Sequence, residues 1–211
     1  MNIAVYSGSF NPLHIGHLAI IRHMIEEAGF DMVYLIVSPK NPLKDGISAS
    51  SGQERYLAAI EAVCRHFGEM QAKEAEHKDG TASPAREHMA EEKVGKVKVD
   101  NIELNMPSPH YTVRTLNALK EREPENTFTF VMGADNLADI RRWRDYTTIL
   151  KDFGVAVFPR TGHDLTQIKQ DLLNEDPAYR IQILDAEMVD ISSTQIREAI
   201  SNGEDPSKYL M

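Results

Sequence analysis

Short apolar runs recur along this chain, and each gives way to a turn residue and then, in most cases, to a stretch with helical spacing. Ile3 to Tyr6 stops at Ser7-Gly8-Ser9, Met32 to Val37 at Ser38-Pro39, Phe128 to Met132 at Gly133, and Val155 to Phe158 at Pro159. Val97 and Val99, with Ile102, and Ile181 to Leu184 make two further runs. Runs this short, without polar alternation, read as strands buried on both faces, the habit of parallel sheets. Between them lie helical stripes. Leu18, Ile21, Ile25 and Ala28 share one face before Gly29, and Val113, Leu116 and Leu119 share one within His110 to Arg122. Ser51-Gly52-Gln53-Glu54 has the form of a capping box, with Leu57, Ile60, Val63, Cys64 and Phe67 following. A short helix is expected from Trp143 to Leu150, and a last one from Ser193 to Asn202 before Gly203. The alternation implies an α/β fold, a doubly wound parallel sheet with right-handed crossovers. In such sheets ligands lie beyond the carboxyl ends of the strands, where Gly8, Pro39, Gly133 and Pro159 fall.

One stretch breaks the alternation. In residues 68 to 96 the only Ile, Leu, Val, Phe, Trp or Tyr is Val94, among many Glu, Lys, Asp and Arg, so the segment cannot bury a core. It reads as a charged insertion in a single domain spanning residues 1–211, with Ser83-Pro84 as a helix start inside it. The 23 Lys and Arg against 32 Asp and Glu leave a net charge of −9. That disfavours binding to nucleic acid, which rewards positive surfaces, but not a local anion site. No apolar run approaches a membrane span, no basic segment precedes an apolar one at the N-terminus, and the one cysteine forms no internal disulfide. The expectation is a soluble cytoplasmic protein with no membrane contact, a monomer or homodimer.

Two clusters carry chemistry. In Gly8-Ser9-Phe10-Asn11-Pro12-Leu13-His14-Ile15-Gly16-His17 a strand end runs through a glycine turn into a helix that opens with two histidines three positions apart. Residues so spaced share a helix face. Gly16 leaves room between them, and Gly8 permits close backbone approach. The free N–H groups of a helix start suit a phosphate, and an anion there would favour charged imidazolium. With no third ligand at suitable spacing, the pair argues against zinc. In Ile191-Ser192-Ser193-Thr194-Gln195-Ile196-Arg197, hydroxyls start a helix and a guanidinium follows one turn on, a second arrangement suited to phosphate. Together they fit a nucleoside triphosphate.

These residues resemble the nucleotidyltransferases with an H-x-G-H signature and a C-terminal I-S-S-T-x-I-R signature. More narrowly, the chain is similar to the bacterial nicotinate-nucleotide adenylyltransferase family. Pro109-His110-Tyr111-Thr112-Val113-Arg114-Thr115-Leu116 is similar to that family's S-Y-T-x-x-T-L segment. Gly133-Ala134-Asp135-Asn136-Leu137, with Trp143 and Tyr146, is similar to its G-x-D-x-L and W-x-x-Y, and Arg160-Thr161-Gly162 to its R-P-G turn. The resemblance implies a Rossmann-like nucleotidyltransferase fold and roles for matched positions. His14, His17 and Arg197 are the catalytic candidates. Gly8, Ser9, Phe10, Gly16, Lys44, Gly133, Asp135, Ser193 and Thr194 would bind ATP and its phosphates. Tyr111, Thr112 and Trp143 would receive nicotinate mononucleotide. Two positions depart from the pattern: Leu43 stands where histidine is usual, and Asn11 where aspartate is common.

The implied reaction joins nicotinate mononucleotide to ATP, giving deamido-NAD and pyrophosphate. The mononucleotide phosphate attacks the α-phosphorus in line, and magnesium arrives with ATP, since the chain has no dedicated carboxylate cage. Three rivals stand beside this reading. A phosphopantetheine-using enzyme usually has threonine at the position of His14. A class I aminoacyl-tRNA synthetase would need more domains and a K-M-S-K-S segment. A non-catalytic nucleotide sensor would not need both phosphate motifs intact.

Overall fold

The computed structural model describes residues 1–39, 51–68, 93–186 and 193–211. Lys44, Leu43, Ser192 and the expected helix start at Ser83-Pro84 lie outside these residues. In chain order the main elements are β1 (Asn2–Gly8), α1 (Ile15–Glu26), β2 (Met32–Val37), α2 (Gly52–Val63), β3 (Lys93–Val94) and β4 (Val97–Asp100). They continue with α3 (Ile102–Asn105), α4 (Thr112–Arg122), β5 (Thr127–Gly133), α5 (Ala134–Ala138), α6 (Tyr146–Thr148), β6 (Val155–Phe158), α7 (Leu165–Glu175), β7 (Ile181–Ile183) and α8 (Ser193–Ser201).

The strands form one sheet in the order β3-β4-β2-β1-β5-β6-β7. Six strands make the parallel part, the doubly wound α/β sheet implied by the alternation. The antiparallel edge strand β3 was not expected. It pairs Val94 with Val97 across a turn where Gly95 has φ +60°, so the end of the insertion returns the chain to the sheet.

By its contacts the chain divides into two compact units. One holds Met1–Tyr6, Ala19–Val33 and Met106–Met188. Within it Asn2 to Tyr6 pair in register with Thr127 to Val131, and β5, β6 and β7 follow in parallel. All four residues of β6 are buried, as expected of a strand covered on both faces. Val113, Leu116 and Leu119 of α4 pack inward as their spacing requires. The other unit holds Ser7–Leu18, Tyr34–Asn105 and Val189–Met211. Here the capping box forms: Ser51 Oγ accepts the Glu54 N–H at 3.1 Å, and Glu54 Oε2 accepts the Ser51 N–H at 2.6 Å.

Local readings differ from the structure in five places. Leu57 is 56% exposed, because the buried stripe of α2 runs through Arg55, Tyr56, Ala59, Ala62 and Val63. Ile102 starts α3 rather than ending a strand, since the Asp100 carboxylate accepts its N–H at 2.9 Å. The segment from Trp143 to Leu150 is not one helix: Trp143 is extended, and Asp145 has φ +50° before α6 begins. The helix expected from His110 begins at Thr112, with Tyr111 extended before it. The sequence reading also places no helix between Phe158 and Ile181, where α7 forms with Asp164 Oδ1 capping the Gln167 N–H at 3.0 Å.

Candidate active site

The end of β1 is tied down before it turns. The Gly8 carbonyl accepts the Ser38 N–H at 2.9 Å, and the Ser7 and Ser38 hydroxyls hydrogen-bond at 2.8 Å. Two residues on, Phe10 takes the left-handed conformation, φ +42°. This folds its ring back over Gly8, where an added Cβ would lie 3.1 Å from Phe10 Cε1. A side chain at Gly8 would therefore crowd the Phe10 ring. The same ring meets His17 edge-on, with centroids 5.2 Å apart.

His14 and His17 come together as their spacing predicts, with ring centroids 3.7 Å apart and planes tilted by 35°. The His14 N–H donates to His17 Nδ1 at 3.2 Å. In that bond Nδ1 is the acceptor, which leaves Nε2 as the ring nitrogen turned to other partners. His14 is buried, and its backbone bridges to Leu210, while the Met211 N–H reaches the Leu13 carbonyl at 3.5 Å.

The second phosphate motif lands beside the first. Ser193 Oγ donates to the Pro12 carbonyl at 3.2 Å, across 181 residues of sequence. Arg197 Nη1 donates to the Asn11 carbonyl at 2.8 Å, and its Nη2 to Thr194 Oγ1 at 2.9 Å. The chain thus gathers Ser9, Phe10, Gly16, His14, His17, Ser193, Thr194 and Arg197 in one unit.

Gly133, Asp135, Tyr111, Thr112 and Trp143 belong to the other unit. Gly133 ends β5, and an added Cβ there would lie 2.4 Å from Asp135 Oδ1, 3.2 Å from Phe158 and 3.4 Å from Arg160 Nε. Only glycine leaves the Asp135 carboxylate where it is. The Arg160 guanidinium sits over the Phe158 ring, 5.2 Å from its centre. Burial pushes the nearby Tyr6 phenol well above its ordinary range, against a smaller opposing pull from Arg160. Trp143 is half-buried and meets Phe130 edge-on at 6.0 Å. Tyr111, 43% exposed, precedes α4, whose first N–H groups no intrahelical carbonyl reaches. Arg114 Nη1 braces that approach by donating to the carbonyls of Pro107 and Pro109 at 3.2 and 2.6 Å. Among the described residues no hydrogen bond or ring contact links Trp143 to Tyr111 or Thr112.

The profile of the cytidylyltransferase-like family matches residues 5–199. The chain belongs to that family. Within it, this nucleotidyltransferase groups with the nicotinate-nucleotide adenylyltransferases. It is 34% identical to a Flavobacterium johnsoniae protein named "Probable nicotinate-nucleotide adenylyltransferase", over all of this chain and 92% of that one. A Bacteroides fragilis protein of the same name is 30% identical over 98% of this chain and 85% of its own. In fold it is similar to a Plasmodium falciparum nicotinic acid mononucleotide adenylyltransferase complexed with NaAD, at a TM-score of 0.67 and 17% identity, covering 99% and 90% of the two chains.

One buried residue that contacts the turn after β1 was missed by sequence reading. Arg55, on α2, is only 4% exposed, and its Nη1 donates to the Ser9 carbonyl at 2.5 Å. A signal existed: Arg55, Ala59 and Ala62 fall on one helical stripe, and alanines there allow close approach. An arginine on a helix reads by default as solvated, which hid it.

Proposed function

We propose that this chain transfers the adenylyl group of ATP to nicotinate mononucleotide, giving nicotinate adenine dinucleotide and pyrophosphate on the route to NAD. The observation that carries this reading is the meeting of the two phosphate motifs, with Ser193 and Arg197 bonded to Pro12 and Asn11 just ahead of His14. A phosphate monoester is already an anionic nucleophile near neutral pH, so the reaction needs no strong base. The mononucleotide phosphate attacks the α-phosphorus in line, and pyrophosphate leaves with the bonding pair. Catalysis is then positioning and charge stabilisation.

In this reading the backbone of Gly8, Ser9 and Phe10 and the Nε2–H of His17 face the charge developing at the α-phosphate. His14 binds alongside, and Ser193, Thr194 and Arg197 hold the β- and γ-phosphates. Gly133 and Asp135 line the nucleotide's place, while Tyr111, Thr112 and Trp143 receive the nicotinate ring. The donors around His14 and Arg197 are neutral or cationic, which suits phosphate oxygens and not a divalent cation. Magnesium accordingly enters as part of the ATP substrate. The chain works as one nucleotidyltransferase domain.

The test is pyrophosphate release from ATP and magnesium with nicotinate mononucleotide, nicotinamide mononucleotide and phosphopantetheine in parallel. The expected result is strong preference for the first. Release only with phosphopantetheine, or none with any acceptor, would overturn the assignment. His17→Ala should lower turnover about tenfold or more with the fold intact, because a lost donor at a developing charge costs about 3–4 kcal/mol. Near-normal turnover would remove His17 from its role.

A further inference from the structure

We propose that Arg55 is a positioning residue for phosphoryl chemistry, a latch that holds the Ser9–Phe10 peptide so that its N–H faces the substrate phosphate. The inference rests on the function proposed above. Four observations carry it. The Arg55 guanidinium donates to the Ser9 carbonyl at 2.5 Å. In a trans peptide the carbonyl and the following N–H point opposite ways, so fixing the Ser9 oxygen on Arg55 aims the Phe10 N–H away from it. Phe10 is held at φ +42°. A half-turn of that peptide would relax Phe10 into the extended region, where an L residue is comfortable, and would also reverse its N–H. Something must oppose this flip, and the Arg55 bond acts on the carbonyl that would have to swing.

The fourth observation concerns cost. Arg55 is nearly fully buried, and among the described residues its Nη2 has no hydrogen-bond partner and no carboxylate pairs with it. Desolvation accordingly lowers its pKa from the ordinary arginine value. A buried cation without an acidic partner is a poor stabiliser of a fold. It is a good source of positive potential beside a loop that receives anions. The capping box at Ser51 and Glu54 starts α2 at Gly52, three residues before Arg55, so local structure sets the position from which the side chain reaches Ser9.

The test compares Arg55→Met and Arg55→Lys with the wild-type protein. Arg55→Met should lower kcat about tenfold or more while KM for both substrates stays within about threefold. Its thermal midpoint should not fall, because an apolar isostere removes the desolvation cost of a buried charge. Arg55→Lys, which keeps one donor and the charge, should recover part of kcat. The Phe10 amide resonance should move in Arg55→Met even without substrate, and its response to added pyrophosphate should shrink.

A folded Arg55→Met with kcat within about twofold of wild type, or with an unmoved Phe10 amide, overturns the proposal. So does a kcat loss that tracks a lowered midpoint and is no smaller in Arg55→Lys. If Arg55→Met does not fold, Arg55→Lys decides: reduced kcat at an unchanged midpoint supports the latch, and unchanged kcat overturns it. If the wild-type protein releases no pyrophosphate, the adenylyl-transfer reading fails by itself, and the Phe10 amide still reports on the latch.

Discussion

Phe10 shows how competing terms at one residue are weighed. Its left-handed backbone costs about 1–2 kcal/mol for an L side chain. Its ring is only 4% exposed, packed over Gly8 and against His17. Losing a buried ring costs about 3–5 kcal/mol, which exceeds the relief of strain. Phe10→Gly should therefore destabilise the protein despite the favourable φ, measurable as a lower urea midpoint. Gly133 is the reverse case. A methyl there meets the end of the Asp135 side chain at 2.4 Å, so the carboxylate must turn away. Gly133→Ala should leave the fold standing and raise KM for ATP in the same direction as Asp135→Ala. An unchanged KM in Gly133→Ala would remove Asp135 from the nucleotide site.

At the scale of elements, α4 was legible because its stripe of Val113, Leu116 and Leu119 repeats at the helical period within one turn's reach. Leu116 and Leu119 are fully buried, so Leu116→Ala should cost about 2–5 kcal/mol in denaturant unfolding. The Trp143 region was not legible, since the left-handed turn at Asp145 falls on a residue whose type does not demand it. Beyond α7, Asp176 accepts from Lys151 Nζ and from the Ala178 N–H, which together hold its carboxyl below the usual range. A depressed carboxyl adds stability above the unfolded value and loses it as pH falls through the folded one. The stability gap between wild type and Asp176→Asn should thus be constant near neutrality and close from about pH 4 downward. A gap that widens on acidification would contradict this pairing.

For the molecule as a whole, a net charge of −9 means that an anionic substrate must be drawn in by local donors against the average field. In the proposed reading, the cluster of His17, Ser193 and Arg197 supplies such donors without a basic surface. Binding should appear as stabilisation. ATP with magnesium at about 100 times its dissociation constant adds about 2.7 kcal/mol, or roughly 5–10 °C in Tm for a chain of this size. A Tm that does not move with ATP would argue against ATP as a ligand of the folded chain.

The sequence by itself determined what is written in short windows. Helix stripes, buried strand runs, the capping box at Ser51 and the paired histidines each depend on residues within a turn or two of one another. Tertiary structure decided which distant backbone groups meet. Ser193 and Arg197 close on Pro12 and Asn11 across more than 180 residues, Leu210 bridges to His14, and Arg55 reaches Ser9. No local period encodes these bonds, because they depend on where sheet order and packing bring separate segments. That is why the two motifs could be picked out one by one, while their joint geometry and the buried Arg55 could not.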